Sequence, residues 1–425
     1  MDQSLRRYAQ RRFRLFWVLN AVPVAFLLDD ILVLYGIRNG LPEPALAALA
    51  SFVQLTMPFM LLGRLFTARW GLAGGWVRAY VVRYSAVLAL IAAPWISDLR
   101  LRTAVVIAGA FLFATFRAVG VINMHPLNGE ITTEEDRGRY LHTNFALFNG
   151  VYFLAVLATI FATRAFDAVW VYQSMVGFGS AVGFCSLLVL RGVPESGEGQ
   201  EAAKRPFWKL LREVRLEIRL GVLIPAWAGG MMSFALVIPF AIMYVKNGYG
   251  IDDHTALFFT LLTLVGAVTS GVVNQKITQR IDPDRLVFGY AAALVGVALF
   301  WAFGPATFIF PLVGTAFFTS GVARAGIIVG LQHHLISSNR AEHRMHVSLL
   351  VELIGSAVSG LAGTVIGGTL LQLFGQRYIG VGVYQAYFRV IALLLVVALF
   401  FVWRLRRDQP PAHPRDSRDT PVTSP

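Results

Sequence analysis

Residues Thr103–Met124 read TAVVIAGAFLFATFRAVGVINM, twenty-two residues whose sole charge is Arg117. At about 1.5 Å of rise per residue, a helix of this length covers about 33 Å, enough for a hydrocarbon core of about 30 Å. The run shows no polar–apolar alternation, so it is not a membrane β-strand. In lipid a helix bonds all its backbone groups internally, which an isolated strand cannot do. The reading extends outward in both directions. Further spans are expected at Phe13–Gly36, Ala45–Phe66, Ala79–Ile96, Tyr140–Phe161 and Ala168–Leu190, then at Leu220–Val245, Thr255–Val273, Leu286–Phe303, Phe308–Gln332, Met345–Phe374 and Val383–Trp403. Twelve such runs make an all-α membrane protein. The composition agrees: the 425 residues are 56% hydrophobic and 14% charged, where a soluble domain carries about 25% charge.

Lysine and arginine orient the spans. One side of the bundle carries 28 of the 37 basic residues and the other carries 7, while Arg117 and Arg324 fall inside spans. The rich side holds the N-terminal tail, the even-numbered loops and the C-terminal tail, so both termini are expected in the cytoplasm. This asymmetry accounts for the net charge of +13 without a nucleic-acid partner. The first apolar stretch is too long for a signal peptide and no small-x-small cleavage site follows it. The 33 arginines against 4 lysines hint at a GC-rich bacterium, and hence a bacterial inner membrane. Cys185 is the only cysteine, and no metal-ligand spacing is present; no cofactor is expected.

Five segments follow from this division: a basic tail (1–12), a first six-helix bundle (13–190), a linker (191–219), a second bundle (220–403) and a tail (404–425). The linker opens with a flexible polar run, Pro194–Gln200. It continues from Pro206 with Phe207, Leu210, Leu211, Val214 and Ile218 on one helical face and basic residues on the other. That pattern predicts an interfacial helix under the membrane. The final tail, rich in Pro, Asp, Ser and Thr, reads as disordered.

The two bundles repeat. Arg38-Asn39-Gly40 recurs as Lys246-Asn247-Gly248, and Gly63 recurs as Gly271, both at an offset of 208; Arg117 recurs as Arg324 at 207. Arg137 and Arg344 each follow their arginine by 20 residues. Parallel six-helix repeats are a transporter architecture. In this layout, with glycine-led basic loops at Gly63-Arg-Leu-Phe-Thr-Ala-Arg69 and Gly271-Val-Val-Asn-Gln-Lys276, the chain resembles the major facilitator superfamily. The run Glu134-Glu135-Asp136-Arg137-Gly138-Arg139 is similar to that family's acidic-Arg-Gly run after span four. The family's usual loop aspartate is absent, with Thr67 and Gln275 at its expected positions. The resemblance implies that Gly63, Arg69, Gly271 and Lys276 belong to gating loops. It also implies that spans one, four, seven and ten line a central cavity.

Charges inside spans are functional candidates by default: Asp29, Asp30, Arg117, Arg324 and Glu352. By helical rise, Arg117 and Arg324 lie about 4 and 6 Å to the basic side of their span centres, and Glu352 about 9 Å. Asp29 and Asp30 lie about 7 Å to the other side. If the family's layout carries over, the two guanidiniums face the cavity from opposite halves as a fork for a carboxylate or phosphate. Asn149, the first-half counterpart of Glu352, joins them as a substrate contact. Asp29, Asp30 and Glu352 are proton- or ion-coupling candidates, because low dielectric favours a protonated carboxylate. The competing structural reading makes Arg324–Glu352 a static interhelical pair and ties Arg117 to an aspartate or to backbone carbonyls. Asn20, Gln54, Asn144 and Gln173 either line the cavity or bond between helices, and six histidines cluster at span ends on the basic side.

The expected function is alternating-access transport of a small, anionic solute with proton or ion coupling, by symport or antiport. No GxxxxGK[ST] loop is present, so ATP is not the direct driver. A non-transporting receptor or lipid-handling protein on the same scaffold is the runner-up. An intramembrane enzyme ranks last, since no nucleophile–base or metal constellation is evident.

Overall fold

The computed structural model describes residues 2–27, 30–166, 168–206, 220–251, 253–278 and 281–407. Among these residues the regular structure is entirely helical. Eleven helices are long and apolar enough to cross a membrane. The twelfth span is Ala45–Phe66 of the sequence reading, and it is broken. Helix Glu43–Leu55 stops, a single 3-10 turn runs over Met57–Phe59, and a second helix covers Met60–Trp70. Pro58 causes the interruption, since proline lacks an N–H and its ring clashes with the preceding turn. Thr56 closes the first piece by donating its hydroxyl to the Phe52 carbonyl (2.7 Å).

The third span also differs from expectation. It runs Leu72–Trp95 and not Ala79–Ile96. Gly71 adopts φ +81°, which a Cβ would strain, and ends the preceding helix. Glu195 then accepts the backbone N–H of Leu72 (2.5 Å), capping the new helix with negative charge at its positive end. The earlier start places Arg83 twelfth of 24 residues. The sequence reading counted Arg83 among the flanks of the basic loop, five residues into the expected span; the structure places it at mid-span, which leaves 27 basic residues on the rich side.

Each half packs around aromatic rings. Phe16 meets Trp76 edge-on at 5.2 Å in the first half, and Tyr244 stacks on Tyr384 at 5.2 Å in the second. Small residues admit close helix approach: a Cβ on Gly63 would collide with the Val119 carbonyl oxygen, and one on Gly321 with that of Thr263. Spans seven and eleven each contain a π-helical turn, at Tyr244–Gly248 and Ala362–Gly367, a feature that often marks functional segments.

The linker is more ordered than its composition suggested. Glu198–Lys204 is helical. Glu130 accepts the backbone N–H groups of Ser196 (2.7 Å) and Gly199 (3.0 Å). Arg64 donates to the carbonyls of Ala203 (2.9 Å) and Arg205. Backbone groups in a polar run find partners as readily as those in regular structure. The expected interfacial helix, 207–219, and the tail 408–425 lie outside the described residues.

Candidate functional site

The two halves join at their basic ends. Arg137, at the start of span five (Glu134–Ala165), donates to Ser337 of span ten (2.7 Å). Thr143 donates to Gln275 (3.1 Å). A Cβ on Gly138 would lie 3.1 Å from that of Thr278, and one on Gly271 only 2.6 Å from that of Ala146. Arg205 in the linker pairs with Glu342 of span eleven at 2.7 Å. Rocking of the halves that opens this end must break these contacts.

Glu352 belongs to the same junction. Its Oε1 lies 3.1 Å from His125 Nε2 in the other half. His125 is 0% exposed, the Glu352 side chain 16%. The imidazole also packs edge-on against Trp227 of span seven, with ring centroids 5.7 Å apart. Depth alone suggested Arg324 as the partner of Glu352; the structure supplies His125. The two are 227 residues apart, which no local pattern reveals. One signal was present: His125 directly follows the expected end of span four, on the same side of the bundle as Glu352.

Arg117 is half-buried, with Nη1 3.9 Å from the Met57 sulfur at the break in span two. Arg324 is exposed, and its guanidinium lies 5.8 Å from the ring centroid of Phe234 on span seven. Asn149 donates to the Phe145 carbonyl of its own helix (2.8 Å). Asp30 opens the helix Asp30–Arg38; Asp29 lies outside the described residues. The gating-loop candidates separate. Gly271 sits in the junction between halves, Gly63 packs inside its own half against span four, and Arg69 and Lys276 are exposed. Where the family carries an aspartate, Thr67 instead donates to Asn123 (2.6 Å) and Gln275 bonds across the halves.

Three of the amides that the sequence left open between cavity lining and interhelical bonding are engaged within their own half. Asn20 accepts from Tyr84 (2.8 Å), Asn144 accepts from Arg14 (3.1 Å), and Gln173 donates to the Ile91 carbonyl (3.1 Å). Of the histidines at span ends, His125, His142, His343 and His346 are buried, and His334 lies 2.9 Å from Asp284. At Glu195, outside the spans, burial pushes the carboxyl pKa up. The N–H of Leu72 works against that shift, and the charge of Glu130 adds to it.

Sequence reasoning missed Arg83. It is 0% exposed, and none of its three guanidinium nitrogens has a hydrogen-bond partner among the described residues. The rings of Phe113, Tyr80 and Tyr84 surround it, with centroids at 4.4, 4.5 and 5.2 Å.

Comparison with known proteins bears on this geometry. The family model described as Major Facilitator Superfamily matches residues 102–363. Among solved structures, the E. coli fucose:proton symporter FucP is 12% identical, covering 94% of this chain and 98% of its own, with a TM-score of 0.73. The proton:xylose symporter XylE is 13% identical, covering 95% and 96%, with a TM-score of 0.72. A human organic anion transporter is 13% identical, covering 95% and 100%, with a TM-score of 0.67. At such identities the likeness is one of fold. No curated protein matches the sequence.

Proposed function

Because this chain belongs to the major facilitator superfamily, we propose that it is a secondary transporter carrying a small organic anion by alternating access, coupled to protons. Both termini then lie in the cytoplasm, the basic junction is the inner gate, and the membrane is the bacterial inner membrane. The observation that carries the reading is the contact of Glu352 with His125 across the two halves. It supports the reading because an ionisable pair bridges the junction that rocking of the halves would part.

Substrate recognition falls to Arg117 and Arg324, one from each half. A guanidinium offers a planar fork of donors that suits a carboxylate, and low dielectric strengthens that attraction. Rocking of the halves about a site near the midplane would expose these arginines to each side in turn. Asp30 and Asp29, on span one, are further candidates for carrying the proton.

The test is uptake of labelled anionic metabolites by proteoliposomes under an imposed inward proton gradient. Gradient-dependent uptake that is lost in Arg117→Ala is the expected result. Transport of only neutral or cationic solutes, with Arg117→Ala unimpaired, would overturn the anion reading.

A further inference from the structure

We propose that the basic end of the first half carries a seat for an anionic phospholipid headgroup, formed by Arg69, Trp70 and Arg78. The inference rests on the membrane-spanning fold alone and is independent of the solute carried. The second piece of span two ends at Trp70, and span three begins at Leu72. The Arg69 guanidinium lies 5.0 Å from the Trp70 ring centroid, and that of Arg78 lies 4.8 Å from it. Two cations are therefore held within about 10 Å of one another on a single ring. Both arginines are exposed, and Trp70 is half-buried. Among the described residues no carboxylate pairs with either guanidinium; their only hydrogen bond runs from Arg78 Nη1 to the Gly74 carbonyl (3.1 Å). Arg78 folds back closely over the turn: a Cβ on Gly74 would touch both its Nη1 (3.4 Å) and the Trp70 Cβ (3.5 Å). The ring offsets part of the repulsion between the two charges. A phosphate shared between them offsets the rest, since each guanidinium offers a fork of donors that fits its oxygens.

The surroundings favour a lipid over a soluble phosphate. Leu62 and Leu65 are 43% and 65% exposed. With Arg69 they occupy positions i, i+3 and i+7 of one helix, so an apolar stripe runs straight into the cation. In a bilayer that stripe meets acyl chains, and tryptophan favours the level of the headgroups. A phospholipid satisfies both parts at once, with its chains along the leucines and its phosphate on the arginines. The duplicated architecture shows that the fold does not require this arrangement. At the repeat offsets of 207 and 208 the second half holds Ile277 or Thr278 in place of Trp70. Arg285, 207 residues after Arg78, has the Asp282 carboxylate 3.6 Å away. In the second half the charge is thus answered by the protein, whereas in the first half it is left for the membrane. Each arginine near an anionic leaflet adds about fivefold to the attraction.

The experiment places the purified full chain in phosphatidylcholine nanodiscs containing either chain-brominated phosphatidylglycerol or chain-brominated phosphatidylcholine, and follows tryptophan quenching as the brominated fraction rises. Subtracting the signal of Trp70→Phe isolates the quenching of Trp70. We expect phosphatidylglycerol to be preferred at Trp70 by about tenfold or more. Arg69→Gln and Arg78→Gln should each lower that preference by about fivefold. Arg7→Gln removes the same charge from an exposed position on the N-terminal tail and should leave the preference unchanged. A melting temperature equal to the parent's shows that each variant is folded. Equal quenching by the two lipids would overturn the inference, and so would an equal loss in Arg7→Gln, which would reduce the effect to diffuse surface charge. Relief of the quenching by excess inorganic phosphate would also overturn it, by marking the arginines as a site for soluble phosphate.

Discussion

Replacing Arg83 by methionine should make the protein more stable. Arg83 sits at mid-span, fully buried, with three unbonded nitrogens enclosed by Phe113, Tyr80 and Tyr84. Taking an ion out of water carries an effective penalty of several kcal/mol, and swapping buried ionic groups for apolar side chains of like volume often gains about 1–4 kcal/mol. The three ring contacts offset part of the penalty, at about 1–2 kcal/mol each when desolvated. Methionine keeps much of this, since it has similar length and makes favourable sulfur–aromatic contacts. At about 2.1 cal/mol/K per residue, 425 residues give an unfolding entropy of about 0.9 kcal/mol/K. A gain of 1–4 kcal/mol therefore corresponds to a rise of about 1–4 °C in the melting temperature. The assay is a tryptophan-fluorescence melt of purified protein in detergent, with Arg83→Ala alongside. The alanine variant should melt below the methionine variant, because it loses the arginine stem and leaves a cavity. A methionine variant melting clearly below the parent would refute the argument and show that the aromatic enclosure more than compensates the charge.

Three further outcomes are expected. Gly63→Ala drives a Cβ into the Val119 carbonyl oxygen and should cost about 1–3 kcal/mol, read as a lower melting temperature. In a Cys185→Ser background, Gly138→Cys with Thr278→Cys should form a disulfide on oxidation, since the Cβ positions lie 3.1 Å apart; uptake should stop and return on reduction. Glu195 supplies the pH test. Burial raises its folded pKa above the ordinary value of 4.5, so the folded state holds this proton more tightly. Its contribution to stability is full below pH 4.5 and is lost as pH rises through the folded value. Glu195→Gln should lack that slope in melts across the same window.

Periodicity and run length read the spans well, because a bilayer demands about 20 apolar residues whatever packs against them. They failed where local chemistry overrode hydropathy. Pro58 broke span two inside an apolar run. Gly71 and Glu195 fixed a helix start within a basic stretch, and that moved Arg83 from the edge of span three to its middle. The arginine pair was legible as single charges in apolar surroundings. Their neighbours Phe234 and Met57 were not, since both lie on other helices. His125 and Glu352 meet only because two halves of the chain close against each other, and the choice between cavity lining and interhelical bonding at Asn20 and Asn144 needed the positions of Tyr84 and Arg14. Hydropathy ranks residues by depth, whereas partners are chosen by helix rotation, which a single sequence leaves open.

Glu352→Gln in proteoliposomes tests the central claim most directly, with gradient-driven uptake and equilibrium exchange of the same labelled anion measured side by side. The glutamine keeps a hydrogen bond to His125 and removes the titratable charge. Proton-coupled alternating access predicts that accumulation against a gradient is lost while exchange persists. Accumulation that survives unchanged in Glu352→Gln would contradict the account and leave the His125 contact as packing between the halves.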